Sequence, residues 1–126
     1  MIFGIGTDIV ALRRMADLHT RHDQRLARRV LAPQELDEYA RAREPARLLA
    51  KRFAAKEALA KAVGTGIRAP LTLTALGVHH DALGRPGFFF APALADWLRE
   101  RGAGRVHLSL SDEQDTVVAF VVVEHA

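Results

Sequence analysis

An α+β fold with a mostly antiparallel sheet is what this sequence predicts, from three observations. MIFGIGTDIV at residues 1–10 has strand-like wording, and an Ala-rich run closing on Gly64 reads as one long helix. After residue 71 the chain turns to short alternating or wholly apolar stretches separated by turn residues. At 126 residues with no internal repeat, 1–126 is expected to be a single domain.

Each element has its own warrant. Ile2, Phe3, Ile5, Ile9 and Val10, with Gly4 and Gly6 between them, predict a strand approached closely by other backbone. Arginine-rich helical segments follow over residues 11–31. LAPQELDEYARAR places Pro33 near a helix start, with Leu36 and Tyr39 three apart, as a short amphipathic helix requires. Pro45 opens the longest helix, on which Leu48, Ala55, Leu59 and Val63 can share a face, and Gly64 ends it. TLTALGVHH reads as a strand, DALGRPG as a turn and FFF as a second strand, so a hairpin is predicted. APALADWLRERG is a helix closed by Gly102. RVHLSLS alternates, with Val106, Leu108 and Leu110 on one face and His107, Ser109 and Ser111 on the other. TVVAFVVVE, joined to it by the turn DEQD, is apolar on both faces, so that strand is central or covered by another subunit.

Composition narrows the function classes. Apolar residues at 49% and charged residues at 26% describe a folded globule rather than a disordered chain. The absence of cysteine excludes a disulfide scaffold and cysteine-ligated zinc, and it fits a cytoplasmic setting. The apolar opening lacks a basic flank and is interrupted by Asp8, so it predicts neither signal peptide nor membrane span. The net charge is only +3, yet six arginines (13, 14, 21, 25, 28, 29) face just Asp17 and Asp23 between residues 13 and 29. Such a stretch projects a positive field toward an acidic partner, protein or nucleic acid.

The chemistry concentrates in KRFAAKEALAKAVGTGI at residues 51–67. Four-residue spacing stacks Phe53, Glu57 and Lys61 in one column with Lys56 beside it. Glu57 and Lys61 could form a plain surface ion pair worth about 0.3–0.5 kcal/mol. Gly64-Thr65-Gly66 could be a plain helix cap, or it could offer backbone N–H groups to an anion. Asp8 interrupts an apolar strand and needs a partner. It could cap the next helix, or face Glu57 across a cation; magnesium suits two carboxylates completed by water and substrate phosphate.

Five segments in order, GIGTDIV, RLARRVL, LAKRFAAKEALAKAVGTGI, LGRP and VHLSLSDE, closely resemble the holo-[acyl-carrier-protein] synthases. These are the short class of 4'-phosphopantetheinyl transferases, and the likeness covers nearly the whole chain. The resemblance implies their fold and their reaction: transfer of 4'-phosphopantetheine from coenzyme A to a serine of apo acyl carrier protein, releasing adenosine 3',5'-bisphosphate. It implies that Asp8 and Glu57 hold Mg2+ and that Lys61 offsets leaving-group charge. Gly64, Thr65, Gly66, Arg52, Pro86 and His107 would line the coenzyme A site, drawn from two protomers of a homotrimer. Either Glu57 or a water on the metal would take the serine proton. Arg14, Arg21 and Arg25 would dock the acidic carrier, with Arg13 and Arg28 behind them. His79 and His80 lie outside these motifs and receive no role. A small basic nucleic-acid-binding module is the alternative reading; no recognisable binding motif supports it, and it leaves Asp8 and Glu57 unexplained.

Overall fold

The computed structural model describes residues 1–126. Strand β1 (Ile2–Ala11) leads directly into α1 (Leu12–His22) and α2 (Gln24–Val30). The two helices are separated at Asp23, whose φ of 44° breaks the helical path. A 3-10 turn at Pro33–Glu35 precedes α3 (Leu36–Arg41), and α4 (Pro45–Val63) carries Pro45 in its first turn. The hairpin is β2 (Leu76–His80) and β3 (Pro86–Phe90), followed by α5 (Pro92–Glu100), β4 (Ala103–Asp112) and β5 (Thr116–His125). Residues 73–75, read as strand from the sequence, form a 3-10 turn instead.

All strand pairs are antiparallel. β5 lies between β1 and β4, and β2–β3 form a separate two-stranded sheet. The central position of β5 matches its doubly apolar sequence. Val117, Ala119, Val121 and Val123 are buried, each valine contributing about 1.5–3 kcal/mol by leaving water. The other face is different. Ile5 pairs with Val122, Thr7 with Phe120 and Ile9 with Val118, which aligns an outward apolar stripe. On that stripe Ile5, Ile9 and Phe120 remain 61%, 70% and 45% exposed.

The helix α4 runs through the middle of the molecule. Leu59 and Val63 are buried as the face pattern predicts, but so are Leu49, Ala50, Ala54, Ala58, Ala60 and Ala62 on other sides. Alanine makes this possible, because short side chains let strands, helices and loops approach the same helix from several directions. On the sheet side the approach is closest. A Cβ added at Gly4 or Gly6 would collide with the carbonyl oxygens of Ala62 and Ala58 respectively. Strand and helix meet backbone to backbone, as the two glycines predicted.

Candidate active site

That glycine contact positions the acids. Asp8 follows Gly6 by two residues, so its side chain leaves the same face of β1 and reaches the outer edge of α4. Lys61 meets it there: Nζ donates to Asp8 Oδ1 at 3.0 Å and to the Thr7 carbonyl at 2.9 Å. The Glu57–Lys61 pair allowed by helical spacing is not among the ion pairs formed; the lysine chooses the strand. Burial, and then the nearby Asp8 charge, raise the Glu57 pKa above the ordinary carboxylate range, while Lys61 partly opposes them. Asp8 and Glu57 therefore face each other closely enough to repel.

Two like charges in one notch, with a single ammonium between them, favour a further cation. Glu57 makes no internal hydrogen bond and Asp8 is engaged through one oxygen only, so carboxylate oxygens remain free for a ligand. The chain gathers no cluster of three or more metal-ligating side chains anywhere. This donor set fits magnesium, which accepts one or two carboxylates and completes its shell with water and phosphate oxygens.

Gly64-Thr65-Gly66 follows directly on α4, Gly64 lying three residues beyond Lys61. Gly64 at φ 90° and Gly66 at φ 69° adopt the left-handed backbone that caps helices. Both amides donate to the Ala60 carbonyl, at 3.0 and 3.3 Å. The capping role is thus real, and of the three N–H groups only that of Thr65 is left without an internal partner.

The remaining expected coenzyme A residues lie in two other places. Arg52 is only 3% exposed, yet it forms part of the wall of a cleft of about 780 Å3 at the α4 N-terminal half, together with Pro86. Its Nη2 donates to Glu38 at 2.9 Å, while Nε lies 3.4 Å from Glu35 and is the one buried side-chain polar atom without a hydrogen-bond partner. His107 stands on the outward face of β4 and bonds Glu124 at 2.6 Å, in a groove that also reaches Pro86. Lys56, expected beside the Phe53–Glu57–Lys61 column, turns away from it. It is fully buried and donates to the Val30 carbonyl, Glu35 and the Leu73 carbonyl at 2.7–2.8 Å. Three acceptors, one of them a carboxylate, outweigh the cost of burying the ammonium, although burial still lowers its pKa.

With these positions fixed, likeness to known proteins can be weighed. Residues 4–121 match the family model of the 4'-phosphopantetheinyl transferase superfamily. The chain belongs to that superfamily. A holo-[acyl-carrier-protein] synthase of Laribacter hongkongensis is 59% identical over 124 residues, covering 98% of this chain and 99% of that protein. The crystal structure of holo-[acyl-carrier-protein] synthase from Neisseria meningitidis superposes with a TM-score of 0.95 at 58% identity, covering 98% and 99% of the two chains. A Bacillus anthracis holo-(acyl-carrier-protein) synthase in complex with CoA (3',5'-ADP) gives 0.84 at 32% identity, over 100% of this chain and 99% of that one.

As a member of the 4'-phosphopantetheinyl transferase superfamily, the chain also presents an open basic surface. Arg14 and Arg21 on α1 and Arg25 on α2 are exposed, as are Arg13, Arg28 and Arg29, and none of the six forms an ion pair within the chain. Sequence reasoning missed two features of this superfamily member. One is Glu35, which accepts from the Ala32 and Val78 amides as well as Lys56 and so ties α4 to the hairpin. The other is His80, which lines the Arg52 cleft and sits opposite Pro86 in the β2–β3 ladder. The DALGRPG turn signalled the hairpin, but nothing in the sequence said which surface its ends would meet.

Proposed function

We propose that the chain, as one domain over residues 1–126, is a holo-[acyl-carrier-protein] synthase that moves 4'-phosphopantetheine from coenzyme A to a carrier serine. The reaction joins the serine oxygen to the β-phosphorus of the pyrophosphate, breaks that phosphorus–oxygen bridge, and releases adenosine 3',5'-bisphosphate and a proton. One observation carries the reading: Asp8 and Glu57, far apart in sequence, are brought to one notch beside Lys61.

Asp8 and Glu57 would hold Mg2+ against the pyrophosphate, and the ion would supply charge neutralisation for the phosphoryl oxygens. Lys61, already at the notch, turns its ammonium to the leaving phosphate. Glu57, or a water held at the same notch, accepts the serine proton. The Thr65 amide, free of internal bonds, borders the nucleotide together with Gly64 and Gly66. The acidic carrier docks on Arg14, Arg21 and Arg25, whose unpaired charges accelerate encounter.

The enzyme works as a homotrimer in the cytoplasm, with sites between protomers. Two facts support the trimer: the apolar stripe of Ile5, Ile9 and Phe120 is open, and the expected coenzyme A residues are divided between the end of α4 and the adjoining Arg52 and His107 grooves, which share Pro86. A stripe from one copy brought against the next would cover the former and unite the latter. The deciding experiment incubates the protein with apo carrier, coenzyme A and Mg2+ and weighs the carrier by mass spectrometry. Addition of one phosphopantetheine to a serine is expected. No added mass, or equal addition after exhaustive metal chelation, would refute the scheme.

A further inference from the structure

The Arg52 cleft carries more charge than its internal pairs consume. Arg41, Arg43, Arg47, Lys51 and Arg52 line it against Glu38, Glu44 and Asp112, a surplus of two positive charges. Glu35, behind Arg52, adds nothing to this balance because Lys56 already meets its charge at 2.7 Å. Such a surplus matches a phosphomonoester dianion. Coenzyme A has one such group, on its adenosine 3' oxygen.

His80 lines that cleft together with Arg52 and Pro86, the two residues already expected to bind the donor. It is the cross-strand partner of Pro86, it lines the same wall as Arg52, and its side chain is exposed with no internal hydrogen bond. Desolvation against the cleft wall and then the Arg52 charge lower its pKa; Glu38 opposes, while Lys51 and His79 add to the lowering. In either tautomer the imidazole carries an N–H that can be donated to an oxyanion.

We propose that His80 is a donor-binding residue, giving a hydrogen bond to the 3'-phosphate of the coenzyme A nucleotide beside Arg52. The assignment rests on the coenzyme A reading above, and its test can fail separately. Calorimetry on the whole protein at pH 7 compares adenosine 3',5'-bisphosphate with adenosine 5'-monophosphate, for the wild type and His80→Ala. The substitution should weaken bisphosphate binding by about 10-fold and change monophosphate binding by less than about two-fold. Bisphosphate affinity untouched by His80→Ala, or both ligands weakened alike, overturns the proposal while the coenzyme A reading stands. A wild type that binds no bisphosphate overturns both. Because His80 is exposed, unaltered melting of the variant serves as the folding control.

Discussion

Glu57 and Lys56 are adjacent, yet one lies near Asp8 and the other is buried in the core, and substitution should separate their roles. Glu57→Gln removes one of the two expected proton acceptors and should lower kcat by about 10²-fold or more with melting unimpaired, read in a carrier-modification assay. Since Glu57 has a raised pKa in the free fold, its ionisation opposes folding: its contribution to stability is present at low pH and lost as pH rises through the folded value. A divalent ion needs the ionised form. The rise in Tm produced by Mg2+ should therefore be larger at pH 8 than at pH 5, and absent in Glu57→Gln, by differential scanning fluorimetry. Lys56→Met instead strands Glu35, whose side chain is 2% exposed. Denaturant titration should show a loss of about 3–5 kcal/mol, little of it recovered in a Glu35→Leu/Lys56→Met double variant, which leaves the Ala32 and Val78 amides without their acceptor. The sequence set Lys56 beside the Glu57 column, and the structure turns it into the core for one reason. Helical spacing gives an angle around the axis, but not what packs at that angle, and here α2, the 3-10 turn and β2 close over the lysine.

Among the elements, β1 and α4 form the mechanical pair. Their glycine contact was readable because glycine inside an apolar strand signals close backbone approach. Its consequence for Asp8 was not readable, since no spacing rule links residue 8 to residue 57. Gly6→Ala should push the helix from the strand, costing about 1–3 kcal/mol. Because the displaced surface carries the acids, transfer activity should fall further than the stability loss alone explains, measured at a temperature where the variant is fully folded. The central place of β5 was legible from its two apolar faces. By contrast, residues 73–75 deceived because alternating Thr and Leu satisfy strand propensity, while local geometry bent them into a turn that offers the Leu73 carbonyl to Lys56.

For the molecule as a whole, its two open surfaces should answer to different perturbations. Reversing Arg14 and Arg21 to Glu should raise KM for the carrier by about 10-fold or more at low salt and flatten its salt dependence, while kcat and KM for coenzyme A stay put. Unchanged carrier KM would detach those arginines from docking. Phe120→Asp places a charge in the outward stripe and should yield a folded, inactive monomer, as read by light scattering and circular dichroism. A fully active monomer would remove the trimer from the scheme. The pairing of Ile2 with Glu124 has one more implication, for the order of assembly. During synthesis β1 emerges before α1–α5 and β2–β4, all of which precede the strand that completes its ladder. Until then its glycines have only α4 to lean on, and its isoleucines are exposed to any nearby nascent chain. Ribosome-bound intermediates should therefore depend on chaperone cover, and the last step of folding should be the insertion of β5 like a keystone.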